Sequence, residues 1–309
     1  MGTVMKAVFF GYGEIGATVL GPLAARHEVS AVVTHRPEFG GLGAGHVAAI
    51  AHQLGLRTLI ADDLADAPEV VQALRTLAPE VLVSANWRTR VPEDVLAIPS
   101  LCPLNIHDAL LPDYAGFGSV NWSIRNGETA IGLTVHVMER DLDTGPIVHT
   151  VTVPIASQDT ATVVYSALLK EYPHAVLTAL DRVAAGVTPV PQRAGGSFYH
   201  RITEADTRID WTQPTTRILD LVRAQSDPFV NAWCLLDGGK LYIKTATFPA
   251  RTYRGTPGRV VAHVGGGVAV VCGHSWSPDA HGVVLLEVAR PGEPAGPATD
   301  ILAPRARLS

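Results

Sequence analysis

The stretch Lys6-Ala7-Val8-Phe9-Phe10-Gly11-Tyr12-Gly13-Glu14-Ile15-Gly16 decides the fold. Residues 6–10 form an apolar run of strand length, and the glycines that follow mark a tight turn into an amphipathic helical stretch, 14–26. A second strand-like run, residues 29–34, completes a βαβ start, and such a crossover calls for a parallel sheet. Further along, a glycine-rich loop at 38–45 leads to a helix near 46–54 and a short strand at 58–60. A helix near 69–77 and the apolar strand 81–84 extend the alternation. After Pro103 the strand 104–107 runs into a loop, 108–118, then a helical stretch at 121–126 and a strand pair, 131–138 and 147–153.

Pro189-Val190-Pro191-Gln192 and Gly195-Gly196 mark a change of pattern. Beyond them come short alternating strands at 241–246, 258–263, 268–272 and 283–288, preceded by Ile209-Asp210-Trp211 and a helix near 216–224. A small β-barrel-like second domain is expected. The proline- and arginine-rich tail from Pro291 reads as loosely ordered.

With 309 residues, 47% of them hydrophobic, the chain can bury a sizeable core and is long enough for two domains. Its opening residues lack a basic region followed by an apolar run, and no segment reaches the ~18 apolar residues of a membrane span. A cytoplasmic location without membrane attachment is expected. Cys102, Cys234 and Cys272 lie far apart without a CxxC, which argues against a disulfide framework or a cysteine-rich zinc site, and no metal is expected. A net charge of −5 and a pI near 6.2 disfavour nucleic acid as a principal partner.

Gly11-Tyr12-Gly13-Glu14-Ile15-Gly16 matches GxGxxG at the position of a dinucleotide-binding turn. The second strand, however, ends Val33-Thr34-His35-Arg36 without the acidic residue that would hold a ribose. Arg36 facing a 2′-phosphate keeps an NADP-dependent oxidoreductase as the alternative of a different class.

Asn105-Ile106-His107 and Leu142-Asp143-Thr144-Gly145 carry the other chemistry. Acyl transfer to an amine needs stabilisation of negative charge on the carbonyl oxygen and a destination for the nitrogen's proton. The Asn105 amide can donate to an oxyanion. His107 can donate from one ring nitrogen while Asp143 fixes its tautomer, favours imidazolium or accepts a proton directly. The amine is itself the nucleophile, and Ser119 does not sit in a GxSxG elbow. Taken singly, Asn105 is an ordinary turn residue, His107 a core histidine and Asp143-Thr144-Gly145 a hairpin turn. His136 reads as structural or pocket-lining.

Together, Asn105-Ile106-His107-Asp108-Ala109-Leu110-Leu111-Pro112 and Leu142-Asp143-Thr144-Gly145 resemble the signature of the folate-dependent formyltransferase family: Asn-x-His, Leu-Leu-Pro and a later Asp-x-Gly. That family includes methionyl-tRNA, glycinamide ribonucleotide and amino-sugar formyltransferases. The resemblance implies that Asn105, His107 and Asp143 catalyse formyl transfer from 10-formyltetrahydrofolate to an amine. It also implies that Trp87, Arg88, Thr89, Arg90 and Val91, through backbone groups, contact the folate together with Leu142 and Asp143. The fold implied is a Rossmann-like α/β formyltransferase domain over 1–195 and a small β-barrel-like, OB-like domain over 196–309.

Many relatives carry an arginine after the aromatic residue of the loop following Leu-Leu-Pro, where this chain reads Tyr114-Ala115-Gly116-Phe117. With that charge missing, a small amino-acid-type amine, such as hydroxyornithine for a siderophore or other secondary metabolite, is the expected acceptor. A nucleotide-linked amino sugar comes second; methionyl-tRNA, or water in a formyl-folate hydrolase, follows. Tyr114, Phe117, Asn121 and Trp122 are the candidate acceptor-binding residues, although an Asn-Trp pair opening a helix also suits capping and core packing.

Overall fold

A computed structural model describes residues 3–41 and 43–309. From the N-terminus, β1 (Lys6–Gly11), α1 (Gly13–Arg26), β2 (Glu28–Thr34), α2 (His46–Gln53), β3 (Thr58–Ile60), α3 (Pro68–Leu77), β4 (Val81–Ala85), α4 (Glu93–Leu96) and β5 (Cys102–His107) alternate. There follow β6 (Ala115–Gly116), α5 (Ser119–Arg125), β7 (Ala130–Val137), β8 (Ile147–Pro154), the long α6 (Ala161–Ala184) and β9 (Phe198–Tyr199). After α7 (Thr215–Ala224) come β10 (Ala232–Leu236), β11 (Gly239–Thr247), β12 (Val260–Val264), β13 (Gly267–Val270), β14 (Val283–Ala289), β15 (Gly296–Pro297) and α8 (Ala298–Ile301). The chain forms two compact units. One holds the segment ending at Gly116 with Ile131–Val153 and Ser166–Phe198; the other holds Phe117–Ala130, Pro154–Tyr165 and Tyr199–Ser309.

The first unit is built on a seven-stranded sheet of order β3-β2-β1-β4-β5-β7-β8. β1 pairs in parallel with β2 on one side and β4 on the other, so strand order reverses there and a crevice opens at the carboxyl ends. Ala7, Val8, Phe9 and Phe10 are fully buried in succession, the mark of a parallel strand covered on both faces rather than one alternating between core and water. β7 departs from the parallel pattern and runs antiparallel to β5. The glycines of the first turn serve packing: a Cβ on Gly16 would sit 2.8 Å from a Val47 methyl of α2 and 3.0 Å from the Gly11 carbonyl carbon. The helix α6 goes beyond the sequence reading. Its Leu168, Tyr172, Ala175, Val176, Ala179 and Leu180 are all buried.

The second unit carries an antiparallel sheet of order β10-β11-β14-β13-β12, with β15 on β14. Its core includes Ile209, Trp211, Ile218, Cys234, Ile243, Val268 and Leu285. Here the expectation of a loose tail is corrected. Leu308 pairs with Leu236 at the end of β10, and Arg307 pairs with Arg259 beside β12. The tail therefore lies against both free edges of the sheet and turns it into a closed, barrel-like layer, which removes the exposed edges that invite aggregation. Leu302 and Leu308 are buried in the core, and they supply the anchors that proline and arginine content concealed.

Candidate active site

Asn105 and His107 are two residues apart on β5 and so share a face. Across the antiparallel ladder Asn105 stands opposite His136 and His107 opposite Thr134, which brings His136 to the same face. Thr134 does not line up as a catalyst; its hydroxyl takes the Leu111 N–H at 3.1 Å and donates to the Ala109 carbonyl at 2.6 Å, pinning the loop after β5. Asp143 enters from the β7–β8 connection. Its Oδ2 lies 3.7 Å from His107 Nδ1 and its Oδ1 3.6 Å from His136 Nε2. Four side chains from three stretches of sequence thus meet, and His107 and Asp143 are 7% and 5% exposed.

Carbonyls only accept, and this fixes the protons. His107 Nε2 donates to the Tyr114 carbonyl at 2.9 Å, which leaves Nδ1 facing Asp143 and, at 3.9 Å, Asp108. His136 Nδ1 donates to the Val137 carbonyl at 2.9 Å, and in the neutral ring Nε2 accepts from the Asn105 amide at 3.3 Å. One Asn105 N–H is spent in this way and the other remains. Asp143 Oδ2 accepts the Gly116 N–H at 2.9 Å. Burial alone would raise the Asp143 carboxyl, but the His107 and His136 rings, which attract the carboxylate when protonated, and the Gly116 N–H outweigh it and hold the group below the usual carboxylate range. The site keeps an ionised carboxylate in near-dry surroundings.

The turn bearing Asp143 is fixed by neighbours that carry no chemistry. Asp143 has φ 58°, in the left-handed region that costs a non-glycine residue of order 1 kcal/mol. Gln192 Nε2 donates to both the Asp143 and Gly145 carbonyls, each at 2.8 Å. Gly145 lies so close to Val137 that a Cβ would fall 1.8 Å from its carbonyl oxygen. Gln192 was not anticipated. It sits among the prolines that mark the pattern change, and nothing in its residue type points to the site.

The 87–91 segment leaves β4 at the sheet's carboxyl edge. The Trp87 ring stacks on His35 at 3.9 Å, and His35 stacks in turn on Phe39 at 4.3 Å. His35 Nδ1 donates to the Ala61 carbonyl at 3.0 Å, and Nε2 accepts the Arg88 N–H at 3.2 Å, so that backbone donor is already engaged. Val91 packs with Trp87 on the apolar cluster of β1 and α3, Arg90 reaches the Arg140 carbonyl at 3.4 Å, and Leu142 is exposed. Among the described residues Trp87 Nε1 and Thr89 Oγ1 are buried without a hydrogen-bond partner. Two orphaned polar atoms in the segment expected to bind a folate fit a ring rich in donors and acceptors.

The candidate acceptor residues divide. Tyr114 belongs to the first unit, has φ 59°, and its N–H is held by the Ser197 hydroxyl at 3.0 Å. Phe117, Asn121 and Trp122 belong to the second unit. There the Asn121 amide donates to the Ala224 carbonyl at 2.6 Å and the Trp122 indole to the His200 carbonyl at 3.1 Å. Phe117 is 39% exposed. The Arg201 guanidinium lies 5.3 Å from the centre of its ring.

Two family models match the chain: formyl transferase over residues 5–180, and formyl transferase, C-terminal domain, over residues 201–305. The chain belongs to the folate-dependent formyltransferase family. It is 30% identical over 302 residues to a methionyl-tRNA formyltransferase of Paracoccus denitrificans, covering 96% of this chain and 97% of that one. Among solved structures it resembles an N-formyltransferase from Helicobacter canadensis, determined with folinic acid and dTDP-3-aminofucose. That match has a TM-score of 0.66 and 18% identity over 91% of this chain and 99% of that one. It also resembles HypX from Aquifex aeolicus, determined with tetrahydrofolic acid (TM-score 0.63, 21% identity), covering 97% of this chain but 47% of HypX. As a family member the chain is a formyltransferase with 10-formyltetrahydrofolate as donor, which displaces the NADP alternative. Arg36, the residue on which that alternative rested, lies 3.6 Å from Asp62. Among the described residues no helix is long and apolar enough to cross a membrane, and no group of three or more His, Cys, Asp or Glu side chains is placed to hold a metal ion.

Proposed function

We propose that this enzyme formylates the amine of a small molecule, with Asn105, His107 and Asp143 as its catalytic residues. The observation that carries the reading is the convergence of Asn105, His107 and Asp143, with the carboxylate held ionised. The folate donor, held by the 87–91 segment and Leu142, supplies an electrophilic formyl carbon. The remaining Asn105 N–H stabilises negative charge developing on the formyl oxygen. His107 Nδ1 takes the proton that the amine sheds and passes it to the folate N10 as the bond between N10 and the formyl carbon breaks, which releases tetrahydrofolate; while protonated, the ring carries positive charge toward the same oxygen. Asp143 and Asp108 stabilise that imidazolium while Nε2–H stays on Tyr114, so the ring keeps its orientation. The chemistry lies within residues 1–195, and residues 196–309 make up most of the smaller domain.

The acceptor favoured is an amino-acid-type amine such as hydroxyornithine, in cytoplasmic secondary metabolism. The chain's Tyr114-Ala115-Gly116-Phe117 supplies no cation for a phosphate-rich acceptor, and its net charge of −5 suits tRNA poorly. Methionyl-tRNA stays as the second reading, because the 30% identical relative spans 97% of its own length. Mass spectrometry of hydroxyornithine, a nucleotide-linked amino sugar and methionyl-tRNA, each incubated with enzyme and 10-formyltetrahydrofolate, tests the choice. A formyl mass gain on hydroxyornithine is expected. Formylation of tRNA alone overturns the acceptor, and donor consumption without any acceptor makes the enzyme a hydrolase.

A further inference from the structure

In the second unit three arginines converge on a concavity that the formyl-transfer reading does not use. Arg125 ends α5, Arg208 precedes Ile209 and Asp210, and Arg217 lies in the first turn of α7. With Ile218 and Leu221 they line a cavity of about 280 Å³, in which Asp210 is the one carboxylate among the described lining residues. Two of the guanidinium groups have an aromatic ring beside them: Arg125 at 4.8 Å from the Trp122 ring centre and Arg208 at 5.4 Å from that of Trp233. Stacking of this kind holds a guanidinium by its face and leaves the N–H edge for a planar or tetrahedral anion. Arg217 Nη1 donates to the Arg125 carbonyl at 3.4 Å, which ties α7 to the end of α5.

Charge balance separates this cluster from ordinary solvated arginines. Arg125 Nη1 is buried with no hydrogen-bond partner among the described residues. Burial lowers the Arg125 pKa, with Asp206 acting in the opposite sense. An unsatisfied N–H on a half-buried cation is costly, and an anion would relieve it. The nearby carboxylates are already committed. Asp210 accepts from the Thr212 N–H at 2.9 Å, the Thr212 hydroxyl at 2.6 Å and the Gln213 amide at 3.1 Å. Asp206 accepts from the Thr203 N–H at 2.8 Å and its hydroxyl at 2.7 Å. Among the described residues none of the three guanidinium groups has a carboxylate ion-pair partner.

We infer that this cavity binds the phosphoryl end of a small molecule, a phosphate monoester or a diphosphate. Three cations against one lining carboxylate match a doubly charged ligand better than a simple carboxylate, and guanidinium forks bind phosphoryl oxygens in pairs. The inference goes beyond the formyl-transfer reading, since none of the residues that line the cavity is among those assigned to donor, acceptor or chemistry.

Isothermal titration of the full chain with inorganic phosphate and pyrophosphate tests it, with citrate as the carboxylate comparison. Saturable binding is expected, tighter for pyrophosphate than for phosphate or citrate. It should weaken at least about tenfold in a variant carrying Arg208→Gln and Arg217→Gln, two exposed positions whose loss leaves the core intact. Arg125→Met should abolish it; because that half-buried position bears on folding, the double variant carries the decision and circular dichroism checks both. Absence of saturable binding, binding unchanged in the double variant, or citrate binding as tightly as pyrophosphate overturns the proposal.

Discussion

At the residue scale the site turns on one buried carboxylate and on what holds it. Asp143→Asn keeps an oxygen for the Gly116 N–H and nearly the same shape, but removes the charge that faces His107 and His136. Formyl transfer to a verified acceptor should fall by about 10²–10⁴-fold, the range of a lost proton-handling group, and thermal stability at neutral pH should drop modestly, because the fold favours the ionised carboxylate. Near-normal turnover in that variant would remove Asp143 from the mechanism. Gln192→Ala leaves every catalytic side chain in place and frees two carbonyls of the Asp143 turn. A kcat loss of roughly tenfold, with the donor KM little changed, is expected from a loosened carboxylate. An unchanged kcat would make the Gln192 bridge purely structural. The meeting of Asn105, His107 and Asp143 was legible because their residue types together suit acyl-transfer chemistry. Gln192, and the backbone groups of Tyr114 and Gly116, were not, because a positioning contact depends on where the chain folds and not on what the residue is.

At the scale of elements, what the sequence made readable follows from burial. β1, β2 and β4 stand out as apolar runs because both their faces are covered, and their helices recur between them at the expected period. Among the elements that escaped, two did so for opposite reasons. In α6 the buried residues Leu168, Tyr172, Ala175, Val176, Ala179 and Leu180 keep helical spacing, yet Pro173 lies in their midst and proline ordinarily ends a helix. In the tail, proline and arginine mimic disorder, while Leu302 and Leu308 are enough to dock it. Deleting residues 304–309 removes Leu308 from the core and the backbone pairing of Leu235 with Ser309 and of Val260 with Arg305 and Ala306. The second unit should lose about 2–4 kcal/mol of stability, seen as a lower urea midpoint, and its freed edges should promote association. An unchanged midpoint would return the tail to the status of an appendage.

At the scale of the whole molecule the two units should fail in acid at different pH. In the first, burial lowers the pKa of His27, His35 and His149, with Arg26 adding to the effect at His27 and Arg182 and His174 at His149. Each has a reason to stay neutral: His27 Nδ1 accepts the Met5 N–H at 3.3 Å, His35 Nε2 accepts from Arg88, and His149 Nε2 is buried without a partner. Below about pH 6.5 the unfolded chain binds protons at these positions and the folded chain does not, so stability declines as pH falls from there toward the folded-state values. In the second unit the shifted groups that bear on acid stability include Asp206, Asp210 and Asp227, held down mainly by hydrogen bonds from Thr203, Thr212 and Lys244. A depressed carboxylate contributes its full stability above the unfolded value of about 3.9 and loses it as pH falls through the folded value. Segment-resolved hydrogen exchange, corrected for intrinsic rates, should therefore show protection falling in residues 5–116 between pH 7 and 5, with residues 232–289 unchanged until below about pH 4. Loss of protection in both stretches at one common pH would mean that the histidines of the first unit do not control its acid response.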